Sequence, residues 1–237
     1  MMSYSNVFKR YELKFLLTVE QYRQIKPIMN EFMCGDEYGE SEILNIYYDT
    51  PNYLLIRRSL EKPVYKEKLR VRSYGIASKN SDVFVEIKKK YGSVVYKRRI
   101  VEKEGNIVKI LSGKGNKTQI GKEIDYFISY YKNLSPKMVI SYRREAFYAK
   151  NDREFRITFD NDILWRNYDL SLKCGIYGKP VLPEEKILME VKTASSFPLW
   201  LTRFLSANAI YKTSFSKYGT AYMQFLKETI QGEQKYA

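Results

Sequence analysis

Between Val64 and Ile100, charged side chains recur at every second position: Lys66, Lys68, Arg70 and Arg72 in one segment, Glu86 and Lys88 in the next, Lys97 and Arg99 in a third. Successive side chains of a strand point to opposite faces, so Lys68, Arg70 and Arg72 share one side while Leu69 and Val71 take the other. A single strand of this kind is ordinarily a solvated outer face. Here the alternation returns at Tyr142 and Arg144, at Glu154, Arg156, Thr158 and Asp160, and at Glu190 and Lys192, with apolar or aromatic residues on several flanks. A sheet that is apolar outside and charged inside is a barrel with a polar lumen.

The rest of the composition narrows what such a lumen can do. Forty-one Lys and Arg face 27 Asp and Glu, a net charge of +14 that implies an acidic partner: nucleic acid, an anionic membrane surface, or phosphate-rich small molecules. Histidine is absent. The usual general base, the Ser-His and Cys-His nucleophiles and histidine-ligated metals are therefore excluded. Cys34 and Cys174 are too few and too isolated for a zinc site or a disulfide framework. No apolar run reaches the ~20 residues that span a bilayer, and no secretory segment opens the chain. The expectation is a soluble, cytoplasmic protein with residues 1–237 as one domain, since no linker, repeat or low-complexity run divides them.

The elements that must position these charges read as follows. Val7 to Leu17 is a strand with Glu12 and Lys14 on its charged face. Thr18 and Gln21 have capping-box spacing before a helix that covers one barrel end. Ile43 to Tyr48 is a strand, Asp49-Thr-Pro-Asn a turn, and Tyr53 to Ser59 a short helix. Three basic strands follow, with a hairpin turn at Tyr91-Gly-Ser93. Ile107 to Leu111 and Ile124 to Leu134 are helical, Pro136 ending the second. Met138 to Tyr148, Glu154 to Phe159 and Ile187 to Lys192 are strands, and the tail from Pro198 is helix, interruption, helix. The prediction is α+β: a closed eight-stranded antiparallel barrel with helices at its ends and outside.

The ordered motifs RYELK (10–14), IYYDT (46–50), KLRVR (68–72), VFVEIKKK (83–90), SYRREAFY (141–148), EFRITFD (154–160), MEVK (189–192) and SFSKYG (214–219) resemble the VTC domain, the polyphosphate polymerase branch of the triphosphate tunnel metalloenzymes. The resemblance covers nearly the whole chain. It implies a tunnel that binds ATP or another nucleoside triphosphate with Mn2+ or Mg2+ and moves the terminal phosphate onto pyrophosphate or inorganic polyphosphate. Carried over, the phosphate-binding cations are Lys14, Arg70, Arg72, Lys88, Lys97, Arg144, Arg156 and Lys217, with Ser216 beside Lys217. Tyr142 matches a lumen tyrosine and Glu190 the metal-binding glutamate. One departure is that the Glu-x-Glu-x-Lys strand of the wider superfamily reads Arg10, Glu12, Lys14 here, which agrees with the polymerase branch. The phosphate-sensing and membrane-spanning regions of fungal members are not in this sequence, which leaves regulation and translocation open, and membrane-associated proteins are among the expected partners.

Physical chemistry assigns the roles within that frame. Arginine forks suit bidentate grip on phosphate, so Arg70, Arg72 and Arg144 clamp the triphosphate. Lysines act as mobile charges, so Lys14, Lys88 and Lys217 neutralise the transferred group. Lys97, Arg99, Arg156, Lys192, Tyr142 and Ser216 complete the substrate-binding set. The resemblance makes Glu190 the metal ligand, with Glu12 and Glu86 as helpers or as partners of neighbouring cations. Lys66, Lys89, Lys90 and Arg98 read as exterior charges. The attacking phosphate needs no deprotonation, so a histidine-free site suffices. Two alternatives stand beside the polymerase: a metal-dependent triphosphatase, and a non-catalytic polyanion receptor. Nucleic acid is not expected, because a duplex needs an exposed patch.

Overall fold

The computed structural model describes residues 11–92, 94–113, 118–194 and 196–234. The expected strand at Val7 to Arg10 and the turn residue Ser93 lie outside them. β1 (Tyr11–Thr18) leads into α1 (Val19–Phe32), β2 (Met33–Asp49) and α2 (Leu54–Leu60). Three strands follow, β3 (Tyr65–Tyr74), β4 (Asp82–Tyr91) and β5 (Val94–Lys103), then α3 (Ile107–Leu111) and α4 (Gln119–Tyr131). The long hairpin of β6 (Ser135–Ala149) and β7 (Asp152–Arg166) precedes β8 (Lys179–Pro180), β9 (Lys186–Thr193), α5 (Leu199–Ala207) and α6 (Lys217–Gln234).

The sheet runs β1-β9-β7-β6-β2-β3-β4-β5, all antiparallel, with β8 added beside β7. This corrects the closed eight-stranded barrel. Nine strands are described, and β1 and β5 at the two ends of the path are not paired with each other. The free edge of β1 is already in use: Thr213 N donates to the Lys14 carbonyl at 2.7 Å and Phe15 bridges to Lys212, so a closing strand has no place there. The sheet nonetheless curls until β4, next to the β5 end, reaches β1 through side chains, with Lys88 on β4 donating to Glu12 on β1 at 3.3 Å.

Three apolar clusters show what bends it. On the convex side, Phe15, Leu17, Ile157, Phe159, Met189 and Val191 pack under α1 and α5, while Leu69, Val71, Val85 and Ile87 pack under α3 and α4. Helix α1 therefore lies along the convex face and not over an end. Its start is as expected: Gln21 N donates to Thr18 Oγ1 and Thr18 N to Gln21 Oε1. The third cluster is inside the curl, where Ile56 of α2 and Tyr218, Ala221 and Tyr222 of α6 pack on Ile43, Met138, Ile140 and Leu188. Only part of the concave face is polar. Pro136 also moves: α4 stops at Tyr131, where Lys132 and Asn133 take positive φ, and the proline lies within β6.

Asp49 explains the IYYDT motif. It is fully buried and accepts hydrogen bonds from the backbone N–H groups of Thr50, Leu55 and Ile56 and from the Tyr218 hydroxyl, at 2.8 to 3.0 Å. Helix α2 has no cap from Tyr53, the residue before it, so Asp49 does that work and ties α2 to α6. Asp49→Ala is expected to lower stability by about 2 kcal/mol, the upper range for a lost cap. The reading is a lower urea midpoint at unchanged m-value.

Candidate functional site

Register brings the alternating charges into rows across the concave face. Tyr47 stands opposite Arg70, Arg70 opposite Glu86, and Glu86 opposite Arg99; Lys68, Lys88 and Lys97 form the next row. On the other wall Arg144 faces Asp160, Thr158 faces Glu190, Glu190 faces Lys14, and Arg156 and Glu12 flank Lys192. Each strand keeps its inward set because a one-residue slip would turn Leu69, Val71 and Val191 out of the apolar clusters.

The charges converge in two groups. In the first, Glu190 accepts from Lys14 at 2.6 Å, from Lys217 at 3.2 Å and from Arg144 at 3.5 Å. Asp160 grips Arg144 at 2.5 and 2.7 Å and pairs with Lys217. Lys217 also lies over the Tyr142 ring at 4.6 Å, and Arg72 donates to the Tyr142 hydroxyl at 3.2 Å. In the second group Glu86, 1% exposed, lies 2.5 Å from Lys97, 2.7 Å from Arg70 and 4.0 Å from Arg72. Burial opposes ionisation of both glutamates, but the cations win: Lys217, Lys14 and Arg144 hold Glu190 well below the usual range, and Arg70, Arg72 and Lys97 hold Glu86 at about 2. Tyr142 is also buried, yet Arg72, Arg144 and Lys217 bring its phenol down to about 8.

The SFSKYG motif sets the first turn of α6. Ser216 Oγ accepts from Gly219 N at 3.1 Å as the helix cap and from Lys68 Nζ at 3.0 Å. Lys217 enters the charged group, and Tyr218 stacks on Tyr47 at 4.5 Å while bonded to Asp49. Gly219 has room for no more: a Cβ there would lie 3.1 Å from Leu60 and 3.2 Å from Ser216.

Lys68 and Asp160, which the alternation placed on the charged side without giving them a role, and Asn45, which the sequence did not single out, belong to the site. Asn45 is fully buried and accepts from Arg72 at 2.9 Å. Asp160 shares the alternation of Arg156 and Thr158, which was signal enough. Lys66 and Lys90 also need correction: they stand opposite each other in the rows of Lys68 and Lys88, at one end of the concave face. Arg98 is outside, paired with Glu123 of α4 at 3.5 Å.

Lys68 is half-buried; burial, then Lys88, Lys66, Lys14 and Arg70, lower its ammonium to about 7. Its folded value is below the ordinary lysine value of about 10.4, so between the two the unfolded chain holds the extra proton. Its contribution to stability therefore rises with pH across that window. Lys68→Met should flatten this rise, read as a smaller difference in urea midpoint between pH 7 and 10. A variant with the wild-type slope would show that Lys68 is not the group responsible.

Two carboxylates bear on a metal. Lys14 Nζ lies 2.6 Å from Glu190 and 3.5 Å from Glu12, so both face one cation position. A pair of carboxylates facing one position is a donor set that suits a divalent cation. Glu86 stands apart in its own cation group. Among the described residues no three His, Cys, Asp or Glu converge as a ligand cluster.

Solved structures share the fold of this curled antiparallel sheet. A candidate adenylate cyclase from Bacillus halodurans matches with a TM-score of 0.57 at 12% identity, over 89% of this chain and 95% of that one. A Hippeastrum protein, described as a candidate adenylyl cyclase with a dominant triphosphatase activity, matches with a TM-score of 0.50 at 15% identity, over 88% and 93%. The VTC domain model matches residues 9–226, and the chain belongs to that family. Vacuolar transporter chaperone complex subunit 2 of Schizosaccharomyces pombe is 23% identical over 90% of this chain. The match spans 37% of that relative's length. No helix among the described residues is long and apolar enough to cross a membrane.

Proposed function

We propose that this domain is a polyphosphate polymerase that transfers the terminal phosphate of ATP to a growing phosphate chain held in the concave face. The observation that carries this reading is the convergence of Lys14 and Arg144 from one wall, Arg70, Arg72 and Lys97 from the other and Lys217 from α6, each paired with a buried carboxylate. Arg70 and Arg144 supply planar forks for phosphate oxygens, and Arg72 is braced by Asn45 and Tyr142. Lys14 and Lys217 stand where charge must be neutralised during transfer. The acceptor is itself an anion, so no residue need remove a proton, and alignment with charge stabilisation carries the step. Glu190 and Glu12 would hold Mg2+ or Mn2+, which when bound neutralises phosphate charge.

Purified protein incubated with ATP, Mn2+ and pyrophosphate is expected to give a ladder of chains on a gel. A triphosphatase is the second reading, favoured by the activity described for the Hippeastrum relative. It would give free phosphate and no ladder. Partner proteins, as the chaperone-complex relative suggests, fit a domain that matches only part of that subunit.

A further inference from the structure

The two ends of the concave face differ in chemistry. At one, a cleft of about 640 Å³ is lined by Tyr74, Phe84, Arg99, Arg156, Thr158 and Lys192. Tyr74 is 54% exposed and meets Phe84 edge-on at 5.6 Å, and the Arg99 guanidinium lies over the Phe84 ring at 5.0 Å. Thr158 is 6% exposed, and its Oγ1, buried at the wall of this cleft, has no hydrogen-bond partner. At the other end α2 and α6 fill much of the curl with Ile56, Tyr218 and Tyr222, and the inward residues of β3 and β4 are the lysines 66, 68, 88 and 90.

A nucleoside triphosphate is unlike at its ends in the same way. The flat base stacks on aromatic rings or on an arginine plane. The phosphate chain offers no rings, only repeated charge, which mobile lysines suit.

We propose that the nucleoside seats in the cleft against Tyr74, Phe84 and Arg99, its phosphates run inward past the Thr158 hydroxyl toward Glu190 and Lys217, and the growing chain leaves along Lys68 and Lys88. The inference rests on the polymerase reading and gives the tunnel a direction. It makes Tyr74 and Phe84 determinants of nucleotide recognition, with the Thr158 hydroxyl donating to a phosphate oxygen.

Calorimetric titration with ATP and with inorganic tripolyphosphate tests it. Tyr74→Ala, an exposed change that leaves the apolar clusters intact, and Tyr74→Ala with Phe84→Ala should weaken ATP about tenfold or more, the range for a lost base stack. Tripolyphosphate affinity should stay at the wild-type value. Lys66→Ala with Lys90→Ala should do the reverse, weakening long polyphosphate while ATP is unaffected. Equal losses for ATP and tripolyphosphate in the cleft variants, or no loss for either, would overturn the direction while wild-type binding of both keeps the polymerase reading. Wild-type protein that binds neither ligand would overturn both.

Discussion

Lys217→Ala is expected to slow phosphoryl transfer by about 10² to 10³, the cost of removing one preorganised charge-stabilising donor. Lys217 is 8% exposed and its ammonium is shared between Asp160 and Glu190, so its position is fixed before substrate arrives. Burial opposes its charge, yet Asp160, Glu190 and Tyr142 raise its pKa above the ordinary lysine value, which keeps it cationic. A fixed ammonium contributes most where charge develops, so kcat should fall more than affinity for ATP does. Lys217→Arg keeps the charge and should recover part of the rate. Equal losses in kcat and in ATP affinity for both variants would mark Lys217 as a binding group only.

Glu86→Gln should destabilise the protein strongly and make that loss reversible by phosphate. Arg70, Arg72 and Lys97 all lean on this one carboxylate. Lys97 is partly solvated, but removing the carboxylate leaves Arg70 and Arg72 uncompensated in a buried setting, a change that costs about 3 kcal/mol. Tripolyphosphate supplies the missing negative charge, so its addition should raise the variant's Tm by more than it raises the wild type's. The acid dependence follows the same carboxylate. Its folded pKa of about 2 lies below the unfolded value, so its stabilisation is present above the unfolded pKa of a glutamate, about 4.3, and is lost as pH falls toward 2. The variant should show a flatter stability curve across that range. An unchanged Tm response to tripolyphosphate would separate Glu86 from the phosphate-binding surface.

Much of this site was legible because strand alternation reports facing directly. Arg70, Arg144 and Glu190 could be placed on one side of their strands from sequence alone, and register then brought them together. Alternation does not say how far a sheet curls or what fills it. The open edge at β1 depends on Lys212 and Thr213, distant in sequence, and the apolar part of the lumen depends on where α6 docks. Lys66 and Lys90 read as exterior because they stand at the ends of basic runs, where a neighbour such as Lys89 does face out. The pairing of Asp160 with Arg144 and Lys217 needed the relative placement of three elements, although its parity was visible.

The most direct measurement of the central claim is a crystal structure of the protein with inorganic tripolyphosphate. The phosphates are expected between the two walls of the curled sheet, within hydrogen-bond reach of Arg70, Arg144 and Lys217, with those side chains turned from Glu86, Asp160 and Glu190 toward phosphate oxygens. Tripolyphosphate bound only on the convex or outer surface, with every inward ion pair undisturbed, would contradict it.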